Sequence, residues 1–154
     1  MYFGYMSPDC NDEHVREIYN KLWTKTGLST ERLPLSIVDE NVINAYNDGT
    51  KIVIYRGLVN STKSWDEVAL VLGHEIAHST LRHLAISEFR SPDEIVVAES
   101  NADKMGAIYM MRAGYDVCKG REIMGRWLKD NGDYLNGDHP TYSYRYEQLN
   151  INCN

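Results

Sequence analysis

His74-Glu75-Ile76-Ala77-His78 places two imidazoles and a carboxylate in the pattern H-E-x-x-H. At about 100° per residue, positions i and i+4 of a helix leave one face roughly one turn apart. Two imidazoles so placed suit two bonds to a single Zn2+. Glu75 is rotated off that face, so it can point at a metal-bound water rather than at the metal. Zinc lowers the pKa of such a water toward about 7, and a carboxylate then removes its proton. The spacing therefore predicts half of a hydrolytic zinc centre. His83, nine residues past His74, falls about half a turn round the helix and is expected at the surface.

A catalytic zinc needs a third protein ligand and an open position, and that ligand should come from another element. Glu99 and Asp103 form E-x-x-x-D, so both acids share one face of the next helix, flanked by the apolar Ile95, Val96 and Ala102. Carboxylates on an apolar face are costly without a cation. Glu99 is the expected ligand. Asp103, one turn on, is expected to accept a hydrogen bond from a ligating imidazole, His74, which fixes its tautomer.

The helix carrying the histidines opens with Ser64-Trp65-Asp66-Glu67, a capping box, and is predicted to run to about residue 84 or 86. The partner helix opens with Ser91-Pro92-Asp93-Glu94 and is predicted over 92–113, stopped by Gly114. Gly73 and Gly106 lie inside these helices, where each costs about 1 kcal/mol relative to Ala. With Ala69 and Ala77, and with Ala98 and Ala102, they form two small-residue seams that would let the helices approach closely enough to share a metal.

Upstream, Val15, Ile18, Tyr19 and Leu22 mark an amphipathic helix over 12–25, ended by Gly27, with His14 expected at the surface of its first turn. Short β-favouring runs follow at 35–39, 42–46 and 50–59. Asn47-Asp48-Gly49 between the last two predicts a hairpin, with 42–46 antiparallel to 51–55. Further helices are expected over 117–130 and 140–149, joined by LNGDHP. The order helix, small sheet, helices predicts a single α+β domain spanning 1–154, with no βαβ parallel sheet.

The chain has 154 residues, 43% hydrophobic and 25% charged, with a net charge of −6. That balance, with no basic block, argues against a nucleic-acid surface. No run is apolar for the roughly 18 residues of a membrane span. The start MYFGYMSPDCNDEH lacks a basic-then-apolar leader, so a cytoplasmic protein is expected, of the kind that would suit a bacterium or phage. Asn60-Ser61-Thr62 matches a glycosylation sequon that would then be silent. Cys10, Cys118 and Cys153 are an odd, widely spaced set. This argues against a disulfide framework, and a Cys10 to Cys153 bridge is disfavoured.

H-E-I-A-H followed by E-x-x-x-D is similar to the gluzincin metallopeptidases. INAYNDGTKIVIYRGLV, AESNADKMGAIYMMRAGYD and DHPTYSYRYEQL resemble, in order, three segments of the HtpX-like and CAAX-prenyl-protease family. The resemblance runs over residues 43–149. It implies a zincin-like fold, with a small antiparallel-containing sheet on a helical bundle. It implies a zinc endopeptidase with one Zn2+ held by His74, His78 and Glu99, Glu75 as general base and His139 stabilising the oxyanion. Arg145 matches the family's arginine; pairing with Asp103, orienting Glu99 and a plain surface charge all stay open. The implied partner is a protein or peptide lying along an edge strand at 51–55, including Ile52 and Ile54, with Asn44, Ala45 and Tyr46 close by. The chain departs from many family members in having no membrane helices, which excludes a chamber for prenylated CAAX substrates. A regulatory protease of the ImmA or SprT kind, or a binding module with a structural zinc, are the alternatives.

Overall fold

The structure is a computed structural model and describes residues 8–28, 32–82, 91–131 and 141–153. His83 and His139 lie outside the described residues, as does the side chain of Cys10.

Helix α1, Pro8–Thr24, buries the predicted stripe of Val15, Ile18, Tyr19 and Leu22. Gly27, at φ 78°, then takes the left-handed conformation that ends it. His14 is half-buried rather than exposed, because its ring stacks on Trp65 with centroids 4.1 Å apart.

Three short strands follow, β1 (Leu35–Val38), β2 (Ala45–Asn47) and β3 (Ile52–Tyr55), in the order β1-β3-β2. The hairpin forms as its Asp-Gly turn predicts. Ala45 pairs with Ile54 and Asn47 with Ile52, antiparallel, with Gly49 at φ 90° in the turn. β1 joins the other side of β3 in parallel, so the sheet is mixed.

That order corrects two expectations. β3 is the central strand, with β1 and β2 as the two edges among the described residues. Ile52 and Ile54 are both 0% exposed, their side chains committed to the core, and they cannot meet a substrate. The strand also does not continue to residue 59. It ends at Tyr55, and helix α2 takes Arg56–Ser61. Arg56 is drawn down to Asp12 of α1 at 2.5 Å and to Asp39 at 2.8 Å. Gly57 donates its N–H to the Glu40 carbonyl. A Cβ at Gly57 would lie 2.4 Å from the Val42 nitrogen, so only glycine lets the chain entering β2 cross here.

Helix α3, Trp65–Thr80, is capped by Ser64, which accepts from the Glu67 N–H, while Glu67 accepts from the Lys63 N–H. The Ser64 half of the predicted capping box is formed, while the return bond from Glu67 goes to the residue before the cap. Every residue from Val68 to His78 is buried, so α3 is the central element of the domain. Helix α4, Pro92–Arg112, starts at the Ser91 cap and ends before Gly114 at φ 91°. The glycine seams meet as expected. A Cβ on Gly73 would lie 2.8 Å from the Gly106 carbonyl oxygen, and one on Gly106 would lie 2.6 Å from the Gly73 carbonyl carbon.

The helix expected over 117–130 is broken into α5 (Val117–Gly120) and α6 (Glu122–Asn131). Gly120 is pressed toward the start of α3, where a Cβ would meet the Asp66 carbonyl at 2.9 Å. Beside it the buried Arg121 lies over the Tyr146 ring at 4.0 Å and donates to the Tyr146 carbonyl. These two contacts turn the chain between α5 and α6. Helix α7, Tyr142–Gln148, is capped by Thr141. Cys118 and Cys153 are joined in a disulfide that ties the tail to α5, against the expectation from the odd cysteine count. Among the described residues, no helix is long and apolar enough to cross a membrane.

Candidate metal centre

α3 and α4 together account for the site. Their close glycine contact sits one residue before His74 on one helix and three residues after Asp103 on the other. His74 and His78 leave α3 one turn apart, with their Nε2 atoms 3.1 Å from each other. Glu99 of α4 closes the triangle. One carboxylate oxygen lies 3.2 Å from His74 Nε2 and the other 2.8 Å from His78 Nε2. Bonds of about 2.0 to 2.1 Å from one tetrahedral zinc place neighbouring donors about 3.3 Å apart. The two Nε2 atoms and the Glu99 carboxylate, which offers one oxygen to each ring, are close enough to share one such ion, and the donor set, two imidazoles and one carboxylate, suits zinc.

The far nitrogen of His74 is also accounted for. Nδ1 lies 2.6 Å from Asp103 Oδ1. With the proton on that side, Nε2 presents its lone pair toward His78 and Glu99. Asp103 is fully buried and is held in turn by Arg145 from α7. The Arg145 Nε donates to Oδ2 at 2.7 Å and an Nη donates to Oδ1 at 2.9 Å. Of the three places open to Arg145, the structure shows the pairing with Asp103.

The charges are consistent with a site built for a cation. Burial pushes the His74 pKa down, but the charge and hydrogen bond of Asp103, with Glu99 and Glu75, outweigh it and raise the value to about 10. Asp103 is pushed up by burial and more strongly down by Arg145 and His74, so it stays ionised. A buried pocket in which acidic groups favour a positive charge this strongly suits a cation.

Glu75 stands further off. Its Oε2 is 3.9 Å from His74 Nε2, and a ligand atom from each of Glu75, His74 and His78 falls within 4.8 Å of the other two.

Of the expected substrate contacts, Asn44 and Ala45 line a cleft of about 480 Å3 that opens beside His74 and Glu75. Tyr46 is 38% exposed and turns its ring toward Tyr55, away from that cleft. In the hairpin, Asn44 and Asp48 bond across to Tyr55 and Lys51. Alternation along an antiparallel pair then leaves the backbone of Ala45 and Asn47 facing the open edge.

Sequence reasoning missed Asn47, read only as a turn residue. Its buried amide donates to the Glu75 carbonyl at 2.9 Å and to Ser79 Oγ at 2.7 Å, fixing the edge strand to the metal-site helix. It also missed Arg126 of α6, which grips the buried Glu67 and the Ser61 carbonyl. An Asn-Asp-Gly run and a lone arginine on an amphipathic helix carry no signal for such distant partners.

An H-E-x-x-H helix facing a glutamate on the next helix, beside an edge strand, defines a metallopeptidase domain of the gluzincin type. Residues 9–92 match peptidase family M48. The chain is 31% identical to the mitochondrial metalloendopeptidase OMA1 of Arabidopsis thaliana, over 80% of this chain and 31% of that protein. The chain belongs to peptidase family M48. It spans about a third of the length of that relative. Glu99, Asp103 and Arg145 lie beyond residue 92, where the family match ends, so their roles rest on geometry.

Proposed function

We propose that the chain is a zinc-dependent endopeptidase in which His74, His78 and Glu99 hold one Zn2+ and Glu75 is the general base. The observation that carries this reading is the buried cluster of the two histidine Nε2 atoms and the Glu99 carboxylate, which turns one oxygen to each ring, at 2.8 to 3.2 Å, with Glu75 set back from it. Bound zinc would supply Lewis acidity, polarising a peptide carbonyl and acidifying a water. Glu75 takes a proton from the attacking water and passes it to the leaving nitrogen. Asp103, steadied by Arg145, keeps the His74 ring in one orientation and one tautomer. The peptide lies as an added strand along β2, where the Ala45 and Asn47 backbone faces outward, and Asn47 holds that strand at a fixed height over Glu75. His139 is kept as the candidate donor to the oxyanion, from the resemblance alone. The family match favours this reading over an ImmA-like or SprT-like protease.

The Cys118 to Cys153 bridge bears on where the enzyme works. Disulfides persist in oxidising compartments, so we favour such a setting over the cytoplasmic one expected from sequence. Thiol labelling of freshly isolated protein tests this: two blocked cysteines support it, and three reactive ones refute it.

The test of the function is metal-dependent cleavage. A peptide library should be cut within chains by the zinc-loaded protein. Chelation should stop cleavage and added zinc restore it. Cleavage that persists in metal-free protein would refute the reading.

A further inference from the structure

At the sheet edge opposite β2, a second cavity of about 390 Å3 lies between α1 and the start of β1. None of its lining residues lines the cleft beside Glu75. Two exposed guanidiniums, Arg16 and Arg32, share it with the apolar Leu33, Pro34 and Leu35. Arg56, Arg126 and Arg145 each meet a carboxylate. Arg16 and Arg32 meet none among the described residues: Arg16 donates to the Leu35 carbonyl at 2.9 Å, and Arg32 donates to Asn20 Oδ1. A guanidinium has five N–H donors, so each keeps most of its donors for a guest. The chain has 22 acidic residues against 16 lysines and arginines, so two guanidiniums in one cavity without a carboxylate run against its composition.

The strand beside them is open. Ile52 donates to the Pro34 carbonyl at 3.0 Å, and Leu35 and Ile37 stand level with Ile52 and Ile54. Alternation along β1 therefore turns the Leu35 and Ile37 backbone to the outer side, where no further strand pairs among the described residues. Arg16 closes the Leu35 carbonyl. The Leu35 N–H and both backbone groups of Ile37 are left for a partner.

We infer that this cavity and the β1 edge form a docking site for an extended, acidic polypeptide segment, which pairs along β1 at Ile37 and sets a carboxylate between Arg16 and Arg32. Main-chain pairing supplies affinity and the two guanidiniums supply selectivity for the carboxylate. The bond from Arg16 to Leu35 holds that guanidinium in place before the guest arrives. It also stops a paired strand from running on past residue 35. The net charge of −6 repels a free polyanion, so the backbone pairing favours a polypeptide over a nucleic acid. Because β1 and β2 are opposite edges of one sheet, a segment held on β1 leaves the cleft open.

The test is an anisotropy titration of the full chain with a short fluorescein-labelled peptide alternating Val and Glu. It should bind roughly 10-fold or more tightly than the same peptide with Gln in place of Glu. R32A, at an exposed position, should weaken the Glu peptide by roughly 10-fold and leave the Gln peptide within about 2-fold. R16A should act in the same direction. R112A, which removes an exposed arginine that lines neither cavity, should change nothing. Amidating the C-terminus of the peptide separates the two sources of carboxylate. A loss as large as that from Gln assigns the terminal carboxylate to the arginines, and no loss assigns the side chains; either result supports the site. Failure of the Glu peptide to bind would overturn it, as would binding that the double variant R16A/R32A leaves unchanged. An oligonucleotide bound more tightly than the Glu peptide, with the same dependence on the two arginines, would overturn the polypeptide assignment. The peptidase reading stands apart from each of these outcomes, since it uses neither arginine.

Discussion

His74 Nδ1 and Asp103 Oδ1 lie 2.6 Å apart, a contact that links the helix of the H-E-x-x-H motif to the helix that carries Glu99. Asp103 is 0% exposed and carries its charge there because Arg145 meets it with two hydrogen bonds. The imidazole is thus oriented by a buried carboxylate that is itself oriented by a buried guanidinium.

Replacing Asp103 by Asn keeps the shape of that contact but removes the charge. D103N should weaken zinc binding by roughly 10- to 100-fold, measured by competition with a chelator of known affinity. R145A leaves a buried carboxylate without its cation and should cost about 3 to 5 kcal/mol, read as a fall in Tm.

The raised pKa of His74 predicts opposite pH behaviour with and without metal. In the metal-free protein the group binds its proton more tightly folded than unfolded. The resulting stability is fully present below about 6.5 and is lost as pH rises toward about 10. The Tm of metal-free protein should therefore fall between pH 7 and 10. Zinc-loaded protein, whose His74 must be deprotonated, should not show that fall and should lose metal on acidification instead. Thermal melts with and without chelator across this range check both arms.

Gly73 and Gly106 let α3 and α4 touch backbone to backbone. A methyl group at residue 73 would sit 2.8 Å from the Gly106 carbonyl oxygen, so G73A must push the helices apart. The gain in helix propensity, about 1 kcal/mol, is outweighed by overpacking of about 1 to 3 kcal/mol. The larger effect should be on zinc affinity, since the donors on α3 and α4 separate with their helices. Metal titration compared with the Tm distinguishes the two effects.

Cys118 and Cys153 are 35 residues apart in sequence, and their bridge closes the chain over α6 and α7. Both elements line the cleft beside Glu75, and α7 supplies Arg145. Reduction should cost roughly 2 to 4 kcal/mol. A denaturant midpoint that moves down in reductant for the wild type, but not for C118S, checks it.

Much of the site was legible because it depends on helical spacing. His74, Glu75, His78, Glu99 and Asp103 are set by positions i, i+1 and i+4 on two capped helices, and caps and glycine stops mark those helices in the sequence. The sheet was less legible. Val53, Ile54 and Tyr55 favour strand wherever they sit, so the run could not show that β1 would pair beside β3 and leave β2 as an edge. Nor could it show that Arg56 would turn into a helix, since that depends on Asp12, 44 residues away. Asn47 and Arg126 were invisible for the same reason. Their partners are fixed by tertiary packing and leave no local pattern.

In the proposed reaction Glu75 acts on a proton while the histidines and Glu99 hold the metal. Its most direct test is E75Q, assayed for zinc content and for peptide cleavage beside the wild type. The amide keeps the shape of the side chain but cannot accept the proton. Both proteins should hold one zinc per chain, with cleavage by the variant lower by at least about 100-fold. Turnover near the wild-type rate in a zinc-loaded E75Q would contradict it.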